Sequence, residues 1–119
     1  MSEDFVVERV EVTDTRAHLR AAVPQDLRYF EGHFEGNPML PGIAQLVALA
    51  HRRGREVFGE LGREKRIARV KFESVIRPGD VLDLVLERGP GLGEGETQVR
   101  FEIAREGTRC ASGVIVYGA

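Results

Sequence analysis

The sequence lacks several features that would assign it to a protein class at once. Its 119 residues include no tryptophan and a single cysteine, Cys110. One cysteine excludes an intrachain disulfide and fits a reducing cytosol, and its strand-like surroundings predict a core side chain. No apolar run is long enough for a signal peptide or a membrane span. We therefore expect a cytoplasmic protein without a membrane partner.

An excess of charge of one sign is also missing. The chain has 17 basic and 19 acidic residues, for a formal net charge of -2, and both signs are scattered along it. Proteins that bind nucleic acid usually concentrate basic residues in one region. We expect no nucleic-acid partner, and we also expect no metal and no cofactor.

The length predicts a single domain over residues 1–119. A chain of this size can bury a hydrophobic core, but it gains further stability when it associates with another subunit. The sequence therefore predicts an oligomer.

Alternation of apolar and polar residues with period two is the dominant pattern. Such alternation is typical of strands with one buried face. It occurs over residues 16–23, 68–73, 82–86 and 97–103. The segments FVVERVEV near the start and TRCASGVIVYG near the end are rich in strand-forming residues, with less regular alternation. The sequence thus predicts an antiparallel sheet of five to six strands.

Turn-forming residues separate these strands. They lie at residues 13–15, 77–80, 89–96 and 106–107. The glycine-rich run GPGLGEGE at 89–96 has strands on both sides and no helix after it. It is therefore more typical of a hairpin loop than of a loop that binds phosphate.

One helix interrupts the strands. It is predicted to begin after Pro41-Gly42 and to run to about Phe58. From Ile43 to Ala50 it is apolar on nearly every side, so we expect protein to surround it. Its later part, HRRGREVF, is polar and is expected to enter solvent. These patterns predict an α+β fold with one long central helix, in the order strand, strand, helix and four strands.

Two motifs resemble one enzyme family. HFEGNPMLPGIAQL, from His33 to Leu46, is similar to the HFPxxPxxPGxxxxE motif of the FabZ and FabA type 3-hydroxyacyl-acyl carrier protein dehydratases. VKFESVIRPGDVL, at residues 70–82, resembles their second motif, FxxPVxPGDxL. The Gln45-Leu46 pair is most similar to the ApeI-like dehydratases of aryl polyene pathways. The resemblance covers the chain from about residue 24 onward.

The resemblance implies a hotdog fold and a site for acyl thioesters. In this family a histidine removes the α-proton of a 3-hydroxyacyl thioester, and His33 occupies that position. A structural role for His33 in packing the loop is the alternative. The Gly42 amide would bind the thioester oxygen, although Pro-Gly also simply starts helices well. The remaining substrate-binding residues implied are Phe34, Pro41, Leu46 and Val47.

Two departures from the motif affect the expected chemistry. Val47 occupies the position of the acidic residue that protonates the departing hydroxyl, and valine has no proton to donate. Glu35 replaces the usual proline after His-Phe, which makes Glu35 a candidate catalytic carboxyl group, although loop carboxylates are more often only solvated. His51, Gln45 and Glu31 are further residues that could compensate.

Three functions remain open from the sequence. The first is a dehydratase that is impaired or uses a substitute acid, acting on thioesters of acyl carrier protein or of coenzyme A. The second is a non-catalytic partner subunit, because in this family the histidine of one subunit faces the carboxylate of the other. The third is a hotdog thioesterase. The implied assembly is a homodimer or larger oligomer, or a heterodimer with a dehydratase paralogue.

Overall fold

The structure is a computed structural model that describes residues 1–30, residue 36 and residues 38–118. Its strands are β1 (Val6–Val12), β2 (Arg16–Ala22), β3 (Arg63–Phe72), β4 (Val81–Pro90), β5 (Thr97–Arg105) and β6 (Thr108–Gly118). A short 3-10 turn, Arg28–Phe30, and one long helix at residues 42–58, here α1, lie between β2 and β3. The predicted order of strand, strand, helix and four strands is confirmed.

The six strands form one antiparallel sheet in the order β1-β2-β4-β5-β6-β3. The four alternating segments fall in β2, β3, β4 and β5, and the two β-rich segments form β1 and β6. The glycine-rich run connects β4 to β5, which pair antiparallel, so it is a hairpin loop as predicted. β1 and β3 are the two edges of the sheet.

One face of the sheet supplies most of the hydrophobic core. Leu84 pairs with Ile103 and Leu86 with Phe101, and each is at most 1% exposed. Burial of such a side chain contributes roughly 1.5–3 kcal/mol. Cys110 is also buried, and this burial raises the pKa of its thiol. The core therefore has the composition that the alternating pattern predicts.

The sheet covers only one side of α1. Ala48, Leu49 and Ala50 are buried, whereas Ile43 is 67% exposed and Val47 is 52% exposed. The expectation that protein surrounds the apolar part of the helix is therefore wrong for the single chain. The sheet packs on one side of the helix, and no described residue buries the opposite side.

The later part of α1 is more buried than its composition predicts. Arg53 is only 5% exposed, because its guanidinium contacts the carboxylates of Asp4 and Glu56, the latter at 3.0 Å. Gly54 beside it is also buried. Asp4 belongs to the segment before β1, and this segment packs on the helix. The expected emergence of the whole HRRGREVF part into solvent is thus wrong for Arg53 and Gly54.

The middle of α1, Gln45–His51, is π-helical, between α-helical turns at Gly42–Ala44 and Arg52–Phe58. The Arg52 amide, for example, donates to the carbonyl of Val47, five residues back. Bonds of this span widen the helix. In the described part of the chain, no helix has the length and apolar character needed to cross a bilayer.

Candidate functional site at the start of the long helix

The two sequence motifs meet at the start of α1. The Leu40 amide donates a 2.8 Å hydrogen bond to the carbonyl of Ile76, which joins the segment before the helix to the loop between β3 and β4. Leu40 is 4% exposed and Ile76 is fully buried. The bond therefore fixes residues 38–42 beside the loop that carries the second motif.

The Pro-Gly-Asp part of the second motif forms a tight turn. Gly79 has a φ of 88°, which favours glycine, and its amide donates to the Val23 carbonyl at 2.8 Å. The Asp80 carboxylate accepts the Arg77 amide at 2.8 Å and the Arg105 guanidinium at 3.2 Å. Asp80 therefore holds the loop in place.

The first turn of α1 presents backbone amides to the same region. The amides of Ala44 and Gln45 both donate to the Pro41 carbonyl, at 3.1 and 3.2 Å. The amides of Gly42 and Ile43 precede them, and the first amides of a helix have no acceptor within it. Together with the helix dipole, such amides favour an oxygen that carries negative charge.

The open side of Gly42 is occupied by an aromatic ring. A Cβ atom added to Gly42 would lie 2.8 Å from Cζ of Phe72, the first residue of the FxxP part of the second motif. Phe72 is 50% exposed, so its ring contacts the helix start and also faces outward. Glycine is therefore needed here for the contact between α1 and β3.

A groove of about 380 Å³ lies between the helix start and the β3–β4 loop. Its walls include Pro41, Gly42 and Gln45 from the helix side and Phe72 and Val75 from the loop side. Most of these side chains are apolar, and the polar groups are few. The groove has the composition of a small-molecule site, with a preference for a chain that is largely apolar.

A second groove runs along the open side of α1. Near the helix start it has a volume of about 340 Å³ and is lined by Pro41, Ile43 and Val47 together with Tyr29. Further along the helix a depression of about 450 Å³ continues past Val47 to His51. Pro41 lines both grooves, so the first helical turn separates them.

Arginine side chains outnumber carboxylates in the lining of the second groove, and two of the three arginines already pair with acidic residues, Arg28 with Glu3 at 3.6 Å and Arg52 with Asp4 at 3.5 Å. Arg28, Arg52 and Arg55 line the depression beside His51, and Glu56 is the one carboxylate among the described residues of its lining. The Arg28 guanidinium also lies 4.8 Å from the centre of the Tyr29 ring. Within the described residues, no group of three or more His, Cys, Asp or Glu side chains is arranged to hold a metal ion.

His51 has a partner at each ring nitrogen. Its Nδ1 lies 2.9 Å from the Tyr117 hydroxyl, and Arg55 Nε donates to its Nε2 at 3.4 Å. Glu64 is 3.9 Å from the same Nε2. Tyr117 is fully buried, and this burial raises its pKa to about 12, so the phenol is neutral at ordinary pH. His51 is therefore engaged in structural contacts and is poorly placed as a substitute acid.

The structure brings only some of the predicted site residues together. Pro41 and Gly42 lie at the meeting point of the motifs, Val47 lies in the second groove, and Leu46 packs against the core. The predicted residues His33, Phe34 and Glu35 lie outside the described residues, so their roles stay predictions.

Two aromatic neighbours of the site were missed from the sequence. Phe72 belongs to the second motif, which could have signalled its importance. Nothing in the sequence indicates that Tyr117, at the end of β6, meets His51.

Comparison with known protein families gives a match over most of the chain. Residues 9–114 match the family described as ApeI-like, ApeI dehydratase. The chain is also 40% identical over 87 residues to the 3-hydroxyacyl-(acyl-carrier-protein) dehydratase FabZ of Alkaliphilus metalliredigens. That alignment covers 64% of this chain and 59% of the relative. The chain therefore spans less than two thirds of the length of this curated relative.

Solved structures match over nearly the whole chain. The dehydratase heterocomplex ApeI:P from Xenorhabdus doucetiae matches with a TM-score of 0.76 at 22% identity, covering 98% of this chain and 99% of that one. A hypothetical thioesterase with coenzyme A from Streptococcus pneumoniae matches with a TM-score of 0.73 at 14% identity, covering 93% and 83%. At these identities the matches show the fold alone, and this is the hotdog fold predicted from the sequence.

Proposed function

Because the chain belongs to the ApeI-like dehydratase family, we propose that it binds 3-hydroxyacyl thioesters at the start of α1. The observation that carries this proposal is the meeting of the two motifs: the Leu40 amide bonds to the Ile76 carbonyl at 2.8 Å, and the Phe72 ring packs on Gly42. The acyl group would be carried either by acyl carrier protein, which the names of the FabZ relatives mention, or by coenzyme A.

The physical features of the helix start suit such a ligand. The Gly42 and Ile43 amides would donate to the thioester oxygen, where negative charge grows when the α-proton is removed. The apolar walls at Pro41 and Val75 would contact the carbon chain. His33 is the base in this proposal, on the strength of its place in the motif.

In this proposal the isolated chain dehydrates its substrate slowly. Loss of a general acid costs on the order of 100 to 10,000-fold in rate, and Val47 cannot replace one. Among the candidate substitutes, His51 is held by Tyr117 and Arg55. Glu35 and Glu31 remain the candidates for the acid, and both lie outside the described residues. We propose that the chain alone binds thioesters more readily than it dehydrates them.

A second candidate function is that of one subunit in a heteromeric dehydratase. Two observations favour it: Val47 is 52% exposed on the open side of α1, and the Xenorhabdus doucetiae structure is described as a dehydratase heterocomplex. In this proposal the chain contributes His33 and the helix amides, and a paralogue contributes the acidic residue.

Calorimetric titration of the purified chain with 3-hydroxyacyl-pantetheine tests the binding proposal. We expect saturable binding together with slow formation of the enoyl thioester, and faster formation when a paralogue with an acidic helix residue is added. Absence of binding to every 3-hydroxyacyl thioester would contradict the proposed function. Release of free thiol instead of enoyl product would identify a thioesterase.

A further inference from the structure

Gln45, in the first turns of α1, is a polar residue in an apolar environment. It is 4% exposed, and the buried side chains of Leu40, Ala44 and Ala48 precede and follow it. Among the described residues, the only other buried polar or charged one is Arg53, which has two carboxylate partners. Gln45 has no such pairing.

The orientation of the Gln45 amide follows from its one hydrogen bond. Its Nε2 donates to the Leu40 carbonyl at 3.3 Å. A carbonyl can only accept, so the NH₂ group must face Leu40 and the oxygen must lie at the other end. No donor within the described part of the chain reaches this Oε1 atom, which is shielded from solvent.

An acceptor buried without a donor destabilises the free chain. The cost of such a group is about 1–3 kcal/mol. Methionine or leucine would occupy a similar volume without this cost. In the free chain, the 3.3 Å bond to the Leu40 carbonyl is the one described interaction that favours glutamine at position 45, and the unpaired Oε1 offsets it.

Gln45 forms part of the wall of the groove between the helix start and the β3–β4 loop. Gly42, whose amide is the proposed donor to the thioester oxygen, lies one helical turn before it in the same wall. The Phe72 ring contacts Gly42 and is half exposed, and Val75 in the same wall is 41% exposed, so the core does not enclose either of these wall side chains. Because the Gln45 Oε1 atom is shielded from solvent in the free chain, a ligand reaches it only when a side chain of this wall moves.

We propose that Gln45 is a specificity-determining residue, whose Oε1 accepts a hydrogen bond from a donor on the bound thioester. This inference rests on the proposed function, because it concerns the same groove. A 3-hydroxyacyl thioester carries such donors in two places, the 3-hydroxyl of the acyl chain and the N–H groups of pantetheine. A site with a buried acceptor rejects analogues that lack the donor, because the acceptor is then left unpaired.

The test compares three ligands by calorimetry: 3-hydroxyacyl-pantetheine, the same thioester without the 3-hydroxyl, and a 3-hydroxyacyl ethanethiol ester without the amides. We expect the wild type to bind the first ligand about tenfold more tightly than one of the other two, which corresponds to about 1.4 kcal/mol. Gln45→Met is expected to lose this preference and to unfold at the same or a higher temperature. Gln98→Met, on β5, is the matched control and should keep the preference.

Each outcome supports or contradicts the inference. In Gln45→Met, one of the two truncated ligands should no longer bind more weakly than the complete ligand. If this is the ligand without the 3-hydroxyl, the hydroxyl is the donor; if it is the ligand without the amides, an amide N–H is the donor. Unchanged preferences in Gln45→Met would overturn the inference while leaving thioester binding intact, whereas a wild type that binds no thioester would overturn the proposed function first. Gln45→Leu serves as a second variant. Strong destabilisation by both substitutions would show that the amide stabilises the free chain, which also overturns the inference.

Discussion

At the scale of single residues, Val47 determines what the site can do. Its side chain is half exposed beside Tyr29 and Pro41, and no carboxyl group is found among the described residues that line the groove there. This exposure lowers the expected cost in stability of placing a carboxyl group at position 47. From the sequence, a carboxyl group at position 47 is expected to be buried and destabilising, whereas in the single chain it would remain partly hydrated and cost little.

Val47→Glu is predicted to raise the rate of dehydration of 3-hydroxyacyl-pantetheine by about 100-fold, because in associated subunits the open side of α1 would supply the missing general acid to the neighbouring site. Formation of the enoyl thioester is the measurement. Val47→Gln has the same shape without the acidic proton and should remain slow. His33→Ala in the Val47→Glu background should abolish the gain.

A different set of rates would move the catalytic role to another residue. If the wild type is already fast, is slowed by Val47→Glu and is inactivated by Glu35→Gln, the acid is Glu35. Position 47 would then be part of the binding surface only.

Tyr117 gives a prediction about alkaline stability. Its pKa is raised to about 12 by burial, whereas a tyrosine in an unfolded chain titrates near pH 10. Between these values the unfolded chain loses the phenol proton and the folded chain keeps it, so the free energy of unfolding falls as pH rises. Urea unfolding measured between these two pH values should show a loss of free energy of unfolding in the wild type. Tyr117→Phe should lack up to about 3 kcal/mol of this loss. Equal slopes for wild type and Tyr117→Phe would contradict the assignment.

At the scale of secondary-structure elements, the strands and turns could be predicted because their pattern is local. Alternation with period two identifies the buried face of β4 without any knowledge of its neighbours. The start of α1 at Gly42 could be predicted for the same reason. Its exposed face could not, because exposure depends on which elements pack against a helix. The π-helical segment Gln45–His51 likewise carries no local sequence pattern that distinguishes it from an α-helix.

The candidate site could be predicted only in part, since its contacts join distant parts of the chain. The first motif identifies Gly42, but its contact with Phe72 spans 30 residues of sequence and two elements. The burial of Gln45 and the hydrogen bond between His51 and Tyr117 also depend on tertiary packing. The residue types therefore identify the helix start as the site, whereas the contacts of its residues follow only from the fold.

The contact between α1 and β3 is predicted to be sensitive to one methyl group. Gly42→Ala places a Cβ atom 2.8 Å from the Phe72 ring, so the ring must move, and we expect a loss of about 1 kcal/mol in the free energy of unfolding. Urea denaturation measures this loss.

The control for this substitution is Gly89→Ala in β4, where an added Cβ has no atom within 4 Å. The double variant Gly42→Ala/Phe72→Ala should show non-additive losses, because the second change removes the clash created by the first. Equal stability of Gly42→Ala and Gly89→Ala would show that the ring yields without cost.

At the scale of the whole molecule, apolar surface remains uncovered in two places. Ile43 and Val47 lie on the open side of α1, and Ile67 and Phe72 on the edge strand β3 are 39% and 50% exposed. A single chain gains by burying such surface against another subunit. The same association would complete the site in the proposed heteromeric function.

The chain is therefore predicted to form a dimer through its sheets at micromolar concentration, as measured by light scattering coupled to size exclusion. Ile67→Lys on β3 should shift the population toward monomer, because it places a charge on the exposed edge. Leu92→Lys is the matched control, since Leu92 is 96% exposed in the loop between β4 and β5 and lies away from that edge. A wild-type chain that remains monomeric would contradict the prediction.

The irregular edges of the sheet affect how far self-association can proceed. β1 shifts register between Arg9 and Glu11, and β3 shifts at two points, with Arg69 at a φ of 56° in the second. Bulged strands twist and offer only short stretches of regular backbone for pairing. We expect strand addition at these edges to end in a closed assembly rather than to continue into fibrils, so that concentrated solutions of the protein should resist amyloid formation.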